Sequence, residues 1–361
     1  MKDKEYMAKA MELAKLGFGK VNPNPLVGAV VVKDNKIVGE GWHKEYGGPH
    51  AEVHALDMAG KNAEGATIYV TLEPCSHYGK TPPCAKKIID SGIKKCIVAT
   101  LDPNPLVAGK GIKLLEEAGV EVEVGLLEAE AKILNRVFFK YISTNTPYLF
   151  LKCGITLDGK IASRTGNSKW ITNEIAREKV QKLRTKYMSI MVGINTVLED
   201  NPSLDSRCEN SRNPFRIVID PFLKIKEHAK LLNFKDNKAI IITSENNKEK
   251  KEEKIKKLEE LGTKFIYLKG NHFKIKEILE ELGRLNIDSV LLEGGSTLIS
   301  NAFRENMIDG GEIFVAPKII GDSKALAFVD GFDFENINEI FKLNNPKFNI
   351  YGDNISVEFN K

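Results

Sequence analysis

Apolar and polar positions follow two rhythms along this chain, and the changes of rhythm predict its elements. Met7, Ala10, Met11 and Ala14 recur at helical spacing within residues 4–16, which predicts an N-terminal helix with one apolar face. Asn22-Pro23-Asn24-Pro25 forbids helix and forces an irregular loop. Residues 27–32 are nearly all apolar and read as a buried strand. After the Asp34-Asn35 turn, residues 37–42 return as its hairpin partner. Gly47-Gly48-Pro49 halts the chain, and a helix is expected from about His50 through Val53, Leu56 and Ala59. A strand over 66–72 then delivers Glu73-Pro74-Cys75. A helix over 84–90, strand over 95–100, helix over 111–118, short strand over 120–124 and closing helix over 127–141 follow. A hairpin followed by β–α alternation predicts an α/β/α sandwich around about five strands.

Residues 143–147 are polar, short and proline-ended, which puts a domain boundary between residues 1–145 and 147–361. The second part begins again with a strand over 148–154 and a helix over 174–184. Further strands are expected over 189–193, 216–220, 239–243, 264–268 and 289–292, with helical stretches at about 247–261, 273–284 and 297–305. Residues 312–320 and 350–359 are strand-like too. Repeated β–α units imply a doubly wound, mostly parallel α/β sheet with its ligands at the carboxyl ends of the strands. The charged run over 248–260 reads as a solvated helix face laced with ion pairs.

Composition narrows this only modestly. The 361 residues are 42% hydrophobic and 28% charged, as expected of a soluble globular chain with two domains. No apolar run approaches the roughly 18 residues of a membrane span. The charged N-terminus does not read as a secretory signal. The net charge of +4 comes from interspersed basic and acidic residues, so no nucleic-acid surface is demanded. Five cysteines without a disulfide-like framework fit a reducing cytoplasm and metal or core roles.

The candidate chemistry of the first part is His50-Ala51-Glu52 together with Cys75 and Cys84. One imidazole and two thiolates can hold a zinc ion while leaving its fourth position for water. Zinc lowers the pKa of that water towards roughly 7, and Glu52 is placed to carry protons to and from it. The competing readings are a closed structural site, with His43, His54 or His77 as fourth ligand, or unliganded core thiols. Cys96, Cys153 and Cys208 read as core thiols.

These residues resemble the cytidine-deaminase-like superfamily, in which a histidine, two cysteines and a non-ligand glutamate serve hydrolytic deamination. Eight residues separate the thiols here, where the nucleic-acid editing deaminases have two. That insertion, with Asn22-Pro23-Asn24-Pro25-Leu26-Val27-Gly28 and Gly48-Pro49-His50-Ala51-Glu52, is similar to the deaminase half of the bifunctional riboflavin-biosynthesis deaminase–reductase family. The resemblance implies one zinc ion per chain on His50, Cys75 and Cys84. It also implies that Asn24 and His43 contact the pyrimidine ring or ribose, and that Lys80 in the inserted loop closes over a phosphate-bearing substrate. Turn-making by Asn24 and a strand-end role for His43 are the plainer alternatives.

The second part has no Gly-x-Gly-x-x-Gly fingerprint, so an ordinary Rossmann dinucleotide site is not supported. It has Glu293-Gly294-Gly295-Ser296-Thr297-Leu298 where a strand passes into a helix. Two glycines and a helix N-terminus there suit a phosphate, although tight packing explains such a turn equally well. With the stretch from Lys152 to Ala162, and Val192 to Val197 followed by Asp200, Pro202, Leu204 and Arg207, this turn resembles the reductase half of the same family, which is similar to dihydrofolate reductase in fold. The resemblance is only rough over 222–285. It implies NADPH on Gly154, Trp170, Thr196, Asp200 and the run Gly295, Ser296, Thr297 and Leu298. It implies substrate against Ser168, Arg184, Leu204, Arg207 and Glu293. In that frame Arg184 and Arg207 are suited to grip a phosphate with forked hydrogen bonds, and Lys152 to polarise the sugar carbonyl.

The resemblance therefore implies small phosphorylated pyrimidines as substrates and a homo-oligomer, while charge and hydropathy lead to the expectation of neither nucleic acid nor membrane as partner. A first step would hydrolyse the 2-amino group of 2,5-diamino-6-ribosylamino-4(3H)-pyrimidinone 5′-phosphate, and a second would reduce the ribosyl group. The rival readings are a different zinc deaminase fused to an unrelated reductase, and a zinc-stabilised binding module without catalysis.

Overall fold

The computed structural model of the chain describes residues 2–76, 83–104, 108–208 and 211–361, which fall into two compact units, 1–145 and 146–361.

The first unit runs α1 (Lys2–Lys15), β1 (Gly28–Lys33), β2 (Lys36–Trp42), α2 (Ala51–Ala59), β3 (Thr67–Val70), α3 (Cys84–Asp90), β4 (Lys95–Val98), α4 (Lys110–Glu117), β5 (Glu121–Val124), α5 (Glu128–Leu134) and α6 (Arg136–Thr144). Its sheet has the order β2-β1-β3-β4-β5, antiparallel on both sides of β1 and parallel from β3 to β5. Alternating residues of β1 serve two cores. Val30 and Val32 pack with Met7, Ala10 and Met11 of α1. Ala29 and Val31 pack with Ala51 and Ala55 of α2 and with Ala85 and Ile88 of α3. A strand buried on both faces is nearly continuous in hydrophobicity, which is why 27–32 showed no alternation. This is the expected α/β/α sandwich.

The closing helix expected over 127–141 is broken at Asn135. Asn135 is buried, and its side chain accepts from Leu26 N at 2.8 Å and donates to Leu26 O at 2.9 Å. An amide so engaged fixes both polar groups of a distant loop residue, and the backbone leaves helical geometry there to reach it.

The second unit runs β6 (Tyr148–Thr156), β7 (Lys160–Ala162), α7 (Glu174–Lys186), β8 (Ser189–Gly193), α8 (Ile194–Asp200), β9 (Phe215–Ile219), β10 (Ala239–Ser244), α9 (Asn247–Lys250), α10 (Glu252–Glu260), β11 (Thr263–Leu268), α11 (Ile275–Arg284), β12 (Ser289–Leu292), α12 (Ser296–Arg304), β13 (Gly310–Ala316), β14 (Leu326–Ala327), β15 (Lys347–Tyr351) and β16 (Asn354–Asn360). Nine strands form one sheet in the order β11-β10-β9-β8-β12-β6-β13-β16-β15, and β7 pairs with β14 apart from it. The pairings from β11 to β13 are parallel, and the hairpin β15–β16 closes the far edge antiparallel.

Three expectations need correction here. Residues 350–359 are not one strand but a hairpin that turns at Gly352-Asp353. The strand expected to reach Ile320 stops at Ala316, because Pro317 has no N–H to give a ladder. The helix over 247–261 divides at Lys251, whose ammonium donates to the carbonyls of Phe222 at 2.6 Å and Leu223 at 3.3 Å.

Candidate active sites

In the first unit two helix starts face one strand end. His50 is the N-cap residue of α2, extended at φ −75 and ψ 168. The first turn of α2 lies so close to β2 that a Cβ at Gly41 would stand 2.3 Å from Ala51 O, so glycine is required there. Across from it the segment after β3 carries Glu73-Pro74-Cys75, and Cys84 is the first residue of α3. Cys84 N donates to Cys75 Sγ at 3.3 Å, and Ala85 N donates to Cys75 O at 3.1 Å.

His50 Nδ1 lies 3.2 Å from Cys84 Sγ and 3.7 Å from Cys75 Sγ, and the three donor atoms all fall within 4.8 Å of one another. A tetrahedral zinc ion sets its nitrogen and sulfur ligands about 3.6 Å apart, so the cluster fits that ion. His54 and His43 do not join the group among the described residues; His77 and Lys80 lie outside the described residues.

Charge around the cluster is arranged to the same end. A hydrogen bond from the Cys84 thiol, opposed by burial and helped by His50 and the Cys84 N–H, holds Cys75 down at about 4. The same shared proton, with burial, pushes Cys84 up. A cation on the two sulfurs takes that proton's place. His50 is raised, first by its hydrogen bond to Cys75. Burial raises Glu52, against the lowering effect of His50, and its Oε2 is buried without a hydrogen-bond partner. A carboxyl that is desolvated, with one oxygen unpartnered and next to a His-Cys-Cys cluster, is equipped to hold and release a proton.

His43 is buried, with Nδ1 3.1 Å from Pro49 O and Nε2 3.1 Å from the Asn24 amide nitrogen. The carbonyl can only accept, so Nδ1 carries the proton and Nε2 accepts from Asn24. Both ring nitrogens are therefore engaged within the protein, and His43 orients Asn24 where a ring contact to substrate was expected.

Glu73 escaped the sequence reading. It is buried, with Oε1 accepting from Gly111 N at 3.0 Å and Oε2 from Gly109 N at 3.0 Å and Asp102 N at 3.2 Å. Only its place beside Pro74-Cys75 hinted at a role. It ties the start of α4 and the segment before it to the strand end that presents Cys75.

In the second unit a cavity of about 630 Å³ runs along the carboxyl ends of the parallel strands. Lys152, Gly154, Ser168, Trp170, Thr196, Asp200, Glu293, Gly295, Ser296, Thr297 and Leu298 all line it. The starts of α8 and α12 open onto it, with Gly193 and Gly295 as N-cap residues and no side-chain cap at either. A Cβ on Gly295 would have only Thr196 Oγ1 near it, at 3.9 Å, whereas one on Gly294 would press on Leu298 at 2.9 Å. Gly294 thus serves packing and Gly295 serves access. An elongated trough with uncapped N–H groups in its middle fits a dinucleotide. Trp170 is not a core aromatic: it is 63% exposed, with the Arg177 guanidinium 4.7 Å from its ring.

Arg184, Leu204 and Arg207 are absent from the lining among the described residues. The fork of Arg184 is closed on Glu293, with Nε to Oε1 and Nη2 to Oε2 both 2.8 Å, and Nη1 on Asp205 O at 3.3 Å. The phosphate grip expected of Arg184 is therefore already spent on a buried carboxylate. Burial alone would raise Glu293, but Arg184 and then Lys152 outweigh it and hold it at about 2. Leu204 is buried, and Arg207 is exposed beside Asp205 at 3.7 Å. The lining also includes Arg177, Asn195, Glu199, Ile219 and Pro221, and, from the segment where the resemblance was rough, Asn271, His272 and Phe273.

Residues 1–100 match the cytidine and deoxycytidylate deaminase zinc-binding region, and residues 147–355 match the RibD C-terminal domain. The riboflavin biosynthesis protein RibD of Aquifex aeolicus is 45% identical over 360 residues, covering 99% of this chain and 98% of that protein. Its counterpart in Escherichia coli is 39% identical over 347 residues, covering 92% and 93%. The solved structure of Acinetobacter baumannii RibD, form 1, superposes with a TM-score of 0.91 at 38% identity, covering 99% and 98%. A Thermotoga maritima structure described as a diaminohydroxyphosphoribosylaminopyrimidine deaminase/5-amino-6-(5-phosphoribosylamino)uracil reductase gives 0.87 at 38%, with the same coverage. With a family match over each unit and relatives spanning nearly all of it, the chain belongs to the RibD family.

Proposed function

We propose that residues 1–145 form a zinc-dependent pyrimidine deaminase domain and residues 147–361 an NADPH-dependent reductase domain. Together they are a bifunctional riboflavin-biosynthesis enzyme. The first converts 2,5-diamino-6-ribosylamino-4(3H)-pyrimidinone 5′-phosphate and water into 5-amino-6-(5-phosphoribosylamino)uracil and ammonia. The second reduces the ribosyl group of that product, giving 5-amino-6-(5-phosphoribitylamino)uracil. The observation that carries this reading is a His50, Cys75 and Cys84 cluster beside buried Glu52, whose Oε2 has no hydrogen-bond partner, in one chain with the strand-end trough.

His50, Cys75 and Cys84 hold the zinc ion, which when bound supplies the Lewis acidity that makes water nucleophilic near neutral pH. Glu52 Oε2 takes the proton that water gives up and delivers it to the departing amine, so the 2-amino group leaves as ammonia. Asn24, oriented through His43 by Pro49 O, positions the pyrimidine. Lys80 is assigned to the substrate phosphate.

In the second domain NADPH supplies the hydride. Gly154, Trp170, Thr196, Asp200 and the start of α12 from Gly295 to Leu298 bind and orient it. Lys152 Nζ, beside the carboxylate of Glu293, stabilises the oxygen that gains charge as the sugar carbon accepts hydride. Ser168 faces the substrate directly. Arg184 acts by fixing Glu293, and the resemblance assigns Leu204 and Arg207 to the substrate although neither lines the trough among the described residues. Five cysteines outside any disulfide, two of them zinc ligands, support a cytoplasmic, reducing location. The family resemblance supports a homo-oligomer that works on small molecules with no nucleic acid.

The protein, given the diaminopyrimidinone phosphate, should release ammonia, and on addition of NADPH should then oxidise it. Ammonia without NADPH oxidation would remove the reductase half of the reading; no ammonia at all would remove the deaminase half.

A further inference from the structure

The trough of the second unit has a polarity that the assigned residues do not use. The sheet order β9-β8-β12-β6 sets the order of its walls. Lys152 and Glu293 lie at the β6 and β12 end, and the starts of α8 and α12 lie in the middle. At the β9 end the walls are Ile219, Pro221, Phe273 and Ile278, with Asn271 and His272. Hydride must pass where groups able to handle a sugar oxygen stand, so the nicotinamide belongs beside Lys152. The diphosphate then falls on the helix starts, where uncapped N–H groups favour anions. What remains is the adenosine, and the apolar walls of the β9 end suit a purine face.

We propose that Asn271 and His272 form the adenosine 2′-phosphate subsite of this trough, with His272 the residue that favours a 2′-phosphorylated dinucleotide over its unphosphorylated counterpart. Four observations place it there. Both residues are exposed while lining the trough, as a rim group reaching a ribose 2′ position must be. Neither side chain makes a hydrogen bond or ion pair among the described residues, so both are available to a ligand. His272 is the basic residue of the lining at this end, since Lys152 belongs to the opposite end and Arg177 is engaged at Trp170 and Thr172 O. The loop Lys269-Gly270-Asn271-His272-Phe273-Lys274 carries two further cations and no acid, which complements a phosphate dianion. The buried Phe273 anchors the loop in the core beneath it.

This inference rests on the reading of the second unit as the reductase, and binding measurements separate the two. NADP⁺ and NAD⁺ are titrated by calorimetry into the full chain, its His272→Ala variant and its His272→Lys variant. The native chain should bind NADP⁺ more tightly. His272→Ala should weaken NADP⁺ about tenfold, as loss of one charge-assisted phosphate contact does. NAD⁺ should stay within about twofold, and His272→Lys should restore the preference. Equal weakening of both ligands, no change in either, or a native chain without preference overturns the subsite. A native chain that binds neither ligand overturns the reductase reading, and the subsite with it.

Discussion

The two sites differ in where their chemistry resides. In the first unit, reacting groups and metal ligands lie within a few ångströms, locked by helix starts and by buried carboxylates: Glu52 at the centre and Glu73 behind it. In the second, an open trough of about 630 Å³ collects residues from β6, β8, β9 and β12 and the segments that follow them to hold a diffusible reductant. A hydrolytic site must make its own nucleophile and proton relay, so the protein supplies both and buries them. A hydride site receives its reactive atom with the cofactor, so the protein supplies shape and orientation. Single substitutions should therefore act on chemistry in the first unit and on positioning or stability in the second.

Glu52→Gln is the severest test of that contrast. Deamination should fall by about 10²–10⁴-fold, with metal analysis still giving one zinc per chain and reduction of supplied deaminated substrate unchanged. Zinc lost along with activity would make Glu52 part of the scaffold instead. Next in size, Glu293→Ala strands the Arg184 charge in a buried position. Denaturant unfolding of the second unit should lose about 3–5 kcal/mol, and the added substitution Arg184→Met should recover part of it. An unmoved transition in the single variant would show that the pair is solvated and the trough wall is not built on it.

Glu73→Gln tests whether the first site also depends on support from outside its ligands. Loss of charge on three backbone donors should cost about 1–3 kcal/mol in the first unit, with zinc retained and kcat for deamination lowered more than KM is raised. Zinc release at unchanged kcat would point to the ligand cluster alone.

The smallest effect is in pH. Glu293 is depressed from 4.5 to about 2 in the folded chain, so its share of stability is complete above pH about 4.5 and is lost as pH falls towards 2. Unfolding measured across that window should show a steeper acid decline for the native chain than for Glu293→Gln; parallel curves would mean that the Arg184 pair does not hold the carboxyl down.

The same contrast governs what was legible in the sequence. His50 and Glu52 sit two residues apart at a helix start, and Cys75 and Cys84 each adjoin a proline, so the ligand set shows as local pattern. The Gly294-Gly295 turn shows too, although sequence could not say that one glycine serves packing and the other access. Arg184 and Glu293 are 109 residues apart, and no local rule reveals that the arginine fork is already taken. The role of His43 needed Pro49 O and Asn24 together, contacts that only the folded hairpin and loop create. Strand order was equally hidden: β12 lies between β8 and β6, so the helix starts at Gly193 and Gly295, far apart in sequence, meet in the middle of the trough. Asn271 and His272 were missed for a related reason, since they lie in a segment whose own pattern is merely that of a loop before a helix.

The Asn135 contact with Leu26 sets an order of events as the chain leaves the ribosome. The loop bearing Asn24 is made early, but the amide that fixes Leu26 emerges 109 residues later. The stretch matching the zinc-binding region, residues 1–100, can therefore be complete in sequence and still lack the fastening of the loop that bears Asn24. A nascent chain stopped before Asn135 should take up zinc yet leave the Leu26 amide open to hydrogen exchange, and one released beyond α6 should protect it; early protection would show that the loop closes without the fastening.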